Sequence, residues 1–280
     1  MKRNRLWNRV LLYGFLTPLA LLWLAPIWLM IVFSTVPERA IFSTPIPLIP
    51  GTEFVANFQN LQADTNFIRA LFNSFVVSTL YTILSLLLTS MAGYAFARFR
   101  FFGRNALFTI VIATLTIPYF VVVIPQFILV AREFQLTGSQ IGTYIALVVP
   151  LLASSLGIFF MRQNFLSLPQ SLLDAARIDG AGEYRIFFQI ALPIVRPAMA
   201  ALGIILFLTA WRDYLWPLII LSNKDQYTAP VALGTLLGLT RVSWSGVMVG
   251  AVLMTVPFLV VFVFLQRFFV AGITAGAVKD

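Results

Sequence analysis

Two short stretches hold the residues of this sequence best suited to chemistry. The first, DAARIDGAGEYRIFFQIALP, runs from Asp174 to Pro193 and sets Asp174, Arg177, Asp179, Glu183 and Arg185 around a core of alanine and glycine. Charges so placed can fix the register of a contact, while a segment with little side-chain bulk lets another backbone come close. The second, Trp211-Arg212-Asp213-Tyr214-Leu215-Trp216-Pro217-Leu218, places two adjacent charges inside an apolar run. Charges in such surroundings are costly and are functional candidates by default. The sequence has no cysteine and no histidine. That excludes disulfides, thiolate or imidazole metal sites and histidine-based catalysis, and no metal site is expected. No cluster of acid, base and nucleophile marks a membrane enzyme either. Binding, docking and ion pairing are the chemistry that remains.

The elements that must position these stretches are helices in lipid. Of 280 residues, 60% are hydrophobic, 10% are charged and 27 are Phe, with a mean hydropathy of +0.93. A soluble surface needs about a quarter to a third charged residues, so an all-α membrane protein is expected. Six apolar runs, at roughly 10–35, 71–97, 106–131, 139–161, 197–221 and 245–269, reach the ~20 residues that cross a bilayer. The first follows MKRNRLWNRV. Its apolar stretch exceeds the about 7–15 residues of a signal peptide and no A-x-A site follows, so it reads as an uncleaved anchor.

Six transmembrane helices put both termini on the same side. That side gathers Lys2, Arg3, Arg5, Arg9, Arg98, Arg100, Arg104, Arg162, Arg177, Arg185, Arg196, Arg267 and Lys279, against Arg39, Arg69, Arg132, Lys224 and Arg241 on the other. Basic residues accumulate on the cytoplasmic side, so both termini are expected in the cytoplasm. The net charge of +9 is then a topology signal and not a nucleic-acid patch. One substantial cytoplasmic loop, 162–196, and two external loops, 37–70 and 222–245, complete a single transmembrane domain over residues 1–280.

Within the cytoplasmic loop, Ser167 is a candidate cap and Pro169 suits a first turn. The spacing predicts a helix over Gln170–Ile178, ended by Gly180. A second helix fits 182–191, stopped before Pro193, with Tyr184, Phe187, Phe188 and Ala191 on one face. Between them, Ala175-Ala176 and Asp179-Gly180-Ala181 form a knuckle able to enter another protein's groove. The same residues read equally well as an amphipathic connector lying on the membrane surface.

In the second stretch, neighbouring helical residues point about 100° apart, so Arg212 and Asp213 need not pair with each other. Trp211 and Tyr214, three apart, would share a face and offer aromatic surface to a sugar ring. Trp216, four from Arg212, would pack over it. An interfacial aromatic belt with a structural ion pair fits the same residues. Pro118, Pro125, Pro150 and Pro257 lie within spans and mark kinks. The external stretch Thr228-Ala229-Pro230-Val231-Ala232-Leu233-Gly234 reads as an apolar loop compatible with docking.

The loop resembles the E-A-A-x-x-D-G-A-x8-I-x-L-P signature of permease subunits in binding-protein-dependent ABC importers. Asp174, Ala175, Ala176, Asp179, Gly180, Ala181, Ile190, Leu192 and Pro193 match with the spacing intact, and Asp174 stands where the family usually has Glu. The resemblance covers nearly the whole chain and narrows to sugar-type permeases similar to the smaller maltose-transporter permease. It is carried by Phe72-Asn73-Ser74, by Ala92-Gly93-Tyr94-Ala95-Phe96-Ala97-Arg98, by Ile117-Pro118 and Ile124-Pro125, by the Trp211 to Leu218 stretch, and by the tail Thr274-Ala275-Gly276-Ala277-Val278-Lys279.

The resemblance implies a type I importer permease fold with cytoplasmic coupling helices between helices 4 and 5, in the bacterial or archaeal cytoplasmic (inner) membrane. It implies ATPase coupling through the nine matched residues, and docking of the binding protein near Thr228, Pro230 and Gly234. Trp211, Arg212, Asp213, Tyr214 and Trp216 are the candidates for the translocation path. Its implied partners are a second, non-identical permease, two copies of a P-loop ATPase subunit and an extracytoplasmic solute-binding protein.

The sequence itself holds no P-loop, since Lys2, Lys224 and Lys279 are its only lysines and none precedes Ser or Thr. The chain is therefore expected to bind no cofactor, with ATP and Mg used by the partner. The expected cargo is a carbohydrate or a related polyol or glycoside, with a glycerol phosphate-type solute as the alternative. An ion-coupled secondary carrier half would favour more buried carboxylates than Asp213 alone.

Overall fold

Residues 2–133, 139–238 and 242–277 are described in the structure, a computed structural model. Arg241, Val278 and Lys279 lie outside the described residues. Along the chain the helices are α1 (Lys2–Ser34), α2 (Glu38–Ile41), α3 (Phe54–Thr65), α4 (Phe67–Arg98), α5 (Arg104–Ala113), α6 (Tyr119–Glu133), α7 (Gln140–Val148) and α8 (Ser155–Leu166). They continue with α9 (Gln170–Ile178), α10 (Glu183–Ile186), α11 (Leu192–Ile194), α12 (Arg196–Trp211), α13 (Leu215–Ile220), α14 (Ala229–Leu237) and α15 (Trp244–Ala277). No strand occurs among the described residues.

Among the described residues, three single helices are long and apolar enough to cross a membrane, within Leu12–Ser34, Phe67–Arg98 and Trp244–Phe264. Three bent pairs raise the number of candidate spans to as many as six. The bends are 105° between Arg104–Thr116 and Tyr119–Ala131, 57° between Gln140–Leu151 and Ser155–Leu166, and 80° between Glu183–Ile194 and Arg196–Trp211. Each break has a proline at hand: Pro118, Pro150 and Pro197. Proline removes a donor and crowds the preceding turn, so the helix stops or bends there. By contrast α6 and α15 run on through Pro125 and Pro257.

The chain divides into two compact units, Met1–Ile68 with Ala232–Val256, and Arg69–Val231 with Pro257–Asp280. In the first unit the side-chain amide of Asn57 donates to the carbonyls of Ser34 (3.0 Å) and Val36 (2.9 Å), which satisfies acceptors where α1 ends. The Glu38 carboxylate accepts from the Trp244 N–H (2.8 Å), the Ser245 N–H (3.1 Å) and the Ser245 hydroxyl (2.8 Å). It thus closes the start of α15 with charge of the favourable sign. The stretch expected as an external loop, 37–70, is therefore largely structured, with α2 and α3 inside it.

In the second unit α4 and α8 meet at two glycines. A Cβ on Gly93 would lie 2.7 Å from Met161 Cβ and 2.8 Å from the Arg162 nitrogen, and one on Gly157 would lie 2.8 Å from Thr89 Cγ2. Glycine alone permits that approach. One buried cluster then joins span residues Tyr94, Met161, Phe165 and Leu202 to loop residues Leu173, Ile186, Phe187 and Ala191. Burial of a single such side chain contributes about 1.5–3 kcal/mol, so the loop is packed onto the helix bundle, not merely strung between helices.

Four local expectations are corrected. Ser167 does not cap α9: its hydroxyl donates back to the Asn164 carbonyl at 2.7 Å, at the end of α8, and Pro169 holds the cap position. The second loop helix does not stop before Pro193. A π turn over Phe187–Ala191 carries it into α11, which contains Pro193. The apolar run 197–221 is not one helix, because α12 ends at Trp211 and α13 restarts at Leu215. The external stretch 222–245 contains α14 where a loop was expected.

Candidate functional site

The loop helix α9 ends in a closed turn. Gly180 has φ +83, and the Ala181 N–H donates to the Ala176 carbonyl (2.9 Å) while the Gly180 N–H donates to the Arg177 carbonyl (3.0 Å). This 6→1 and 5→2 pair is the Schellman motif, whose left-handed residue is usually glycine. Asp174, Ala175, Asp179 and Gly180 are exposed and Ala181 is half-buried. Nothing lies within 4 Å of a Cβ built on Gly180 or Gly182. Ala176 is turned inward against the core instead. The knuckle is a bare, preformed projection.

The second half of the loop shows a different face from the expected one. Ile186, Phe187 and Ala191 are buried, with Ile190 and Leu192 packed against them and Pro193 half-buried. Ile186 and Ala191 are five apart, the period of the π turn between them. Tyr184 and Phe188 consequently face outward, at 78% and 47% exposure, and Ile178 at the tip of α9 is 86% exposed.

The charges of the loop are joined through Arg177. Its Nε donates to Glu183 Oε1 and its Nη1 to Asp174 Oδ1, both at 2.8 Å. The hydrogen bond to Glu183, followed by that to Asp174, raises the proton affinity of the guanidinium above its ordinary value. Asp174 is thus engaged within its own chain. Arg185 instead donates to Gln189 at 3.0 Å.

The second candidate site is a cavity of about 530 Å³ where α12 gives way to α13. Arg212, Asp213, Tyr214 and Trp216 line it together with Tyr81, Tyr119, Phe120 and Thr209. The break explains the placement. Asp213 Oδ1 accepts from the Trp216 N–H at 3.5 Å, so the carboxylate sits at the start of α13, where an acid is favoured. Trp216 is fully buried and its indole N–H donates to the Ala146 carbonyl at 3.2 Å. It does not lie over Arg212, which is exposed. Trp211 is not a lining residue either. It is buried and stacked on Phe207, with ring centroids 5.5 Å apart. The shared face expected of Trp211 and Tyr214 is lost, because the helix that would have aligned them ends between them.

The third set of residues is only partly at the surface. Thr228 is 2% exposed, and Pro230 and Gly234 are half-buried in α14. The reason lies in the second span. The Asn73 amide donates to the carbonyls of Asp225 (2.9 Å) and Tyr227 (3.0 Å), and the Ala229 N–H donates to Ser74 Oγ (2.8 Å). These contacts account for the Asn-Ser pair that the sequence singled out without a role.

Several residues of these sites do not announce themselves in the sequence. Tyr81 and Tyr119 are single tyrosines in apolar runs. Gln170 is one polar residue in an amphipathic helix. Tyr94 and Arg98 stand out only as part of a motif.

The comparisons with known proteins agree with this geometry. Residues 85–275 match the family described as binding-protein-dependent transport system inner membrane component. The arabinooligosaccharides transport system permease protein AraQ of Halalkalibacterium halodurans is 38% identical, over 91% of this chain and 90% of its own length. The sn-glycerol-3-phosphate transport system permease protein UgpE of Escherichia coli is 33% identical, over 98% of each chain. A chain from the crystal structure of a bacterial ABC transporter involved in the import of the acidic polysaccharide alginate superposes with a TM-score of 0.77, covering 96% of this chain and 98% of that one, at 21% identity. Its fold is shared; its cargo is its own. With its helical spans, its small-residue loop and its relatives in agreement, the chain belongs to the family of inner-membrane components of binding-protein-dependent transport systems.

Proposed function

We propose that this chain is one permease half of an ATP-driven importer for a carbohydrate or a related glycoside or polyol. It crosses the membrane six times with both termini in the cytoplasm. It works with a second, non-identical permease, two copies of a P-loop ATPase subunit and an extracytoplasmic solute-binding protein. ATP and Mg act on the partner ATPase, and this chain is the translocating, non-enzymatic subunit. The observation that carries the coupling role is the bare knuckle at Gly180, whose shape is closed by its own hydrogen bonds and whose outer side is open. A groove on an ATPase subunit can receive such a projection, and closure of two such grooves would move the attached helices as rigid bodies.

The cargo reading rests on the cavity and the relatives. Aromatic walls with a few polar groups suit sugar rings, which present apolar faces and hydroxyl rims. AraQ and its kin carry a sugar in their names. Arg212 on the same wall also favours a second cargo, a glycerol phosphate-type solute, since guanidinium pairs with phosphate and UgpE is named for one.

The test is a mild-detergent pull-down of the chain from native membranes with mass spectrometry of the partners, followed by vesicle uptake of a labelled arabino-oligosaccharide, lactose and sn-glycerol 3-phosphate. Recovery of a P-loop ATPase, a second permease and a solute-binding protein is expected, with ATP-dependent uptake of a sugar. A chain that comes down alone and moves solute on an ion gradient would refute the reading.

A further inference from the structure

The Tyr94 and Arg98 side chains leave α4 one turn apart, at its cytoplasmic end. The Tyr94 ring is wedged among Phe99, Phe165 and Phe187, with centroids 5.7, 5.3 and 5.1 Å away. Its hydroxyl reaches Glu183 Oε2 at 3.4 Å. Glu183 is bound to Arg177 and Arg177 to Asp174, as described above. From there Gln170 Nε2 donates to Asp174 Oδ1 at 3.0 Å, and Arg98 Nη1 donates to Gln170 Oε1 at 2.9 Å. Arg98 Nη2 closes on the carbonyls of Phe165, in the last turn of α8, and Leu168 (2.6 Å), just beyond it. The contacts form a ring: Tyr94, Glu183, Arg177, Asp174, Gln170, Arg98, and back through one turn of α4.

This ring embraces the knuckle from both sides. Gln170 and Asp174 belong to the helix before Gly180 and Glu183 to the residues after it. Each half of the loop is therefore tied to the same turn of α4. The helix α4 is in turn held against α8 at Gly93, where nothing larger than hydrogen fits. A force applied at the knuckle has a short, stiff route into two span helices.

We infer that Tyr94 and Arg98 are positioning residues that transmit movement of the Gly180 knuckle into α4, so that they set how much transport each ATP hydrolysed delivers. This rests on the coupling role proposed above. It gives Asp174 Oδ1 a part inside its own chain, where Arg177 and Gln170 both donate to it, beside the exposed small residues Ala175 and Gly180 that would meet the partner. Coupling between two sites needs a connected element that both bias, and the ring is such an element.

The experiment uses the purified assembly of this chain with its co-purifying subunits in vesicles. Uptake of the three labelled solutes named above and ATP hydrolysis are measured on the same preparation. Tyr94→Phe, which keeps the packed ring and removes only the hydroxyl, and Gln170→Met, which cuts the opposite arc, are each expected to lower uptake per ATP by about fivefold or more. The ATPase subunit should still co-purify. The pair Tyr94→Phe with Glu183→Gln should fall short of the sum of the two single losses, because both variants act on the Tyr94–Glu183 contact. Arg98→Lys, which restores charge without the planar fork, should give only partial function.

If Tyr94→Phe and Gln170→Met leave uptake per ATP unchanged while Gly180→Trp abolishes it, the inference fails and the coupling loop stands. If Gly180→Trp also leaves both uptake and ATPase association unchanged, the coupling role and this inference fall together. Should Arg98→Lys not accumulate in the membrane, the two milder variants decide the matter.

Discussion

In the loop between α8 and α12, Arg177 holds two carboxylates at 2.8 Å each. In the membrane cavity, Arg212 and Asp213 are chain neighbours and form no ion pair with each other. The loop ties Asp174, Arg177 and Glu183 to one another and leaves Ala175 and Gly180 exposed at its tip. The cavity does the reverse, keeping apolar and aromatic walls in place and leaving charged groups on its surface. Charges that are tied up give a segment its shape, whereas charges left on a cavity wall remain for what enters. The two regions thus divide mechanical work from recognition, and each can be attacked separately.

The largest effect is expected on the cavity wall. Trp216 is fully buried, so Trp216→Ala should lower stability by about 3–5 kcal/mol. Thermal unfolding in detergent would register this as an early transition, and an unchanged transition would mean that the wall is not built on this indole. Next comes Gly180→Trp. The open space around the site should let the chain fold and insert despite the strain of a side chain at positive φ, with uptake dropping by about a hundredfold, and normal uptake would remove the knuckle from the mechanism.

Asp213→Asn should leave the melting temperature within about a degree or two, given a cost under roughly 0.5 kcal/mol, and should change uptake by about tenfold, the scale of one lost charge-assisted hydrogen bond. A large loss of stability with unchanged uptake would make Asp213 structural, and the contrast drawn above would collapse. The smallest effect belongs to Asp174→Glu. The pair is half exposed, so restoring the longer side chain typical of the family should shift stability by under about 1 kcal/mol. Uptake per ATP, measured beside the parent, should hold.

Much of the loop was legible because its signals are local. Pro169 and Gly180 bracket α9 to the residue, since one fixes φ and the other accepts the left-handed turn. The π turn was not legible. Tyr184, Phe187, Phe188 and Ala191 fit a 3.6 period, and one extra residue per turn, set by packing of Ile186 and Ala191 into the core, gives them different sides. The spans were legible from hydropathy, but the break at Arg212 to Tyr214 was not, because a run of apolar residues looks the same whether straight or broken. The burial of Thr228 was not legible for a related reason. Its burial depends on Asn73 and Ser74, more than 150 residues earlier in the chain, and no local pattern reports a bond of that reach.

The contact at Gly93 has a consequence for how the molecule can move. With the Arg162 backbone nitrogen and the Met161 side chain filling the space a Cβ would need, α4 has little clearance to shift against α8 at this point. Any opening that involves one must carry the other, as two staves nailed together swing as one board. Flexure then falls to the breaks between helices, among them the non-helical residues 152–154 beside the 57° bend and the break between α12 and α13. That break borders the cavity, so the hinge and the chamber share the same few residues.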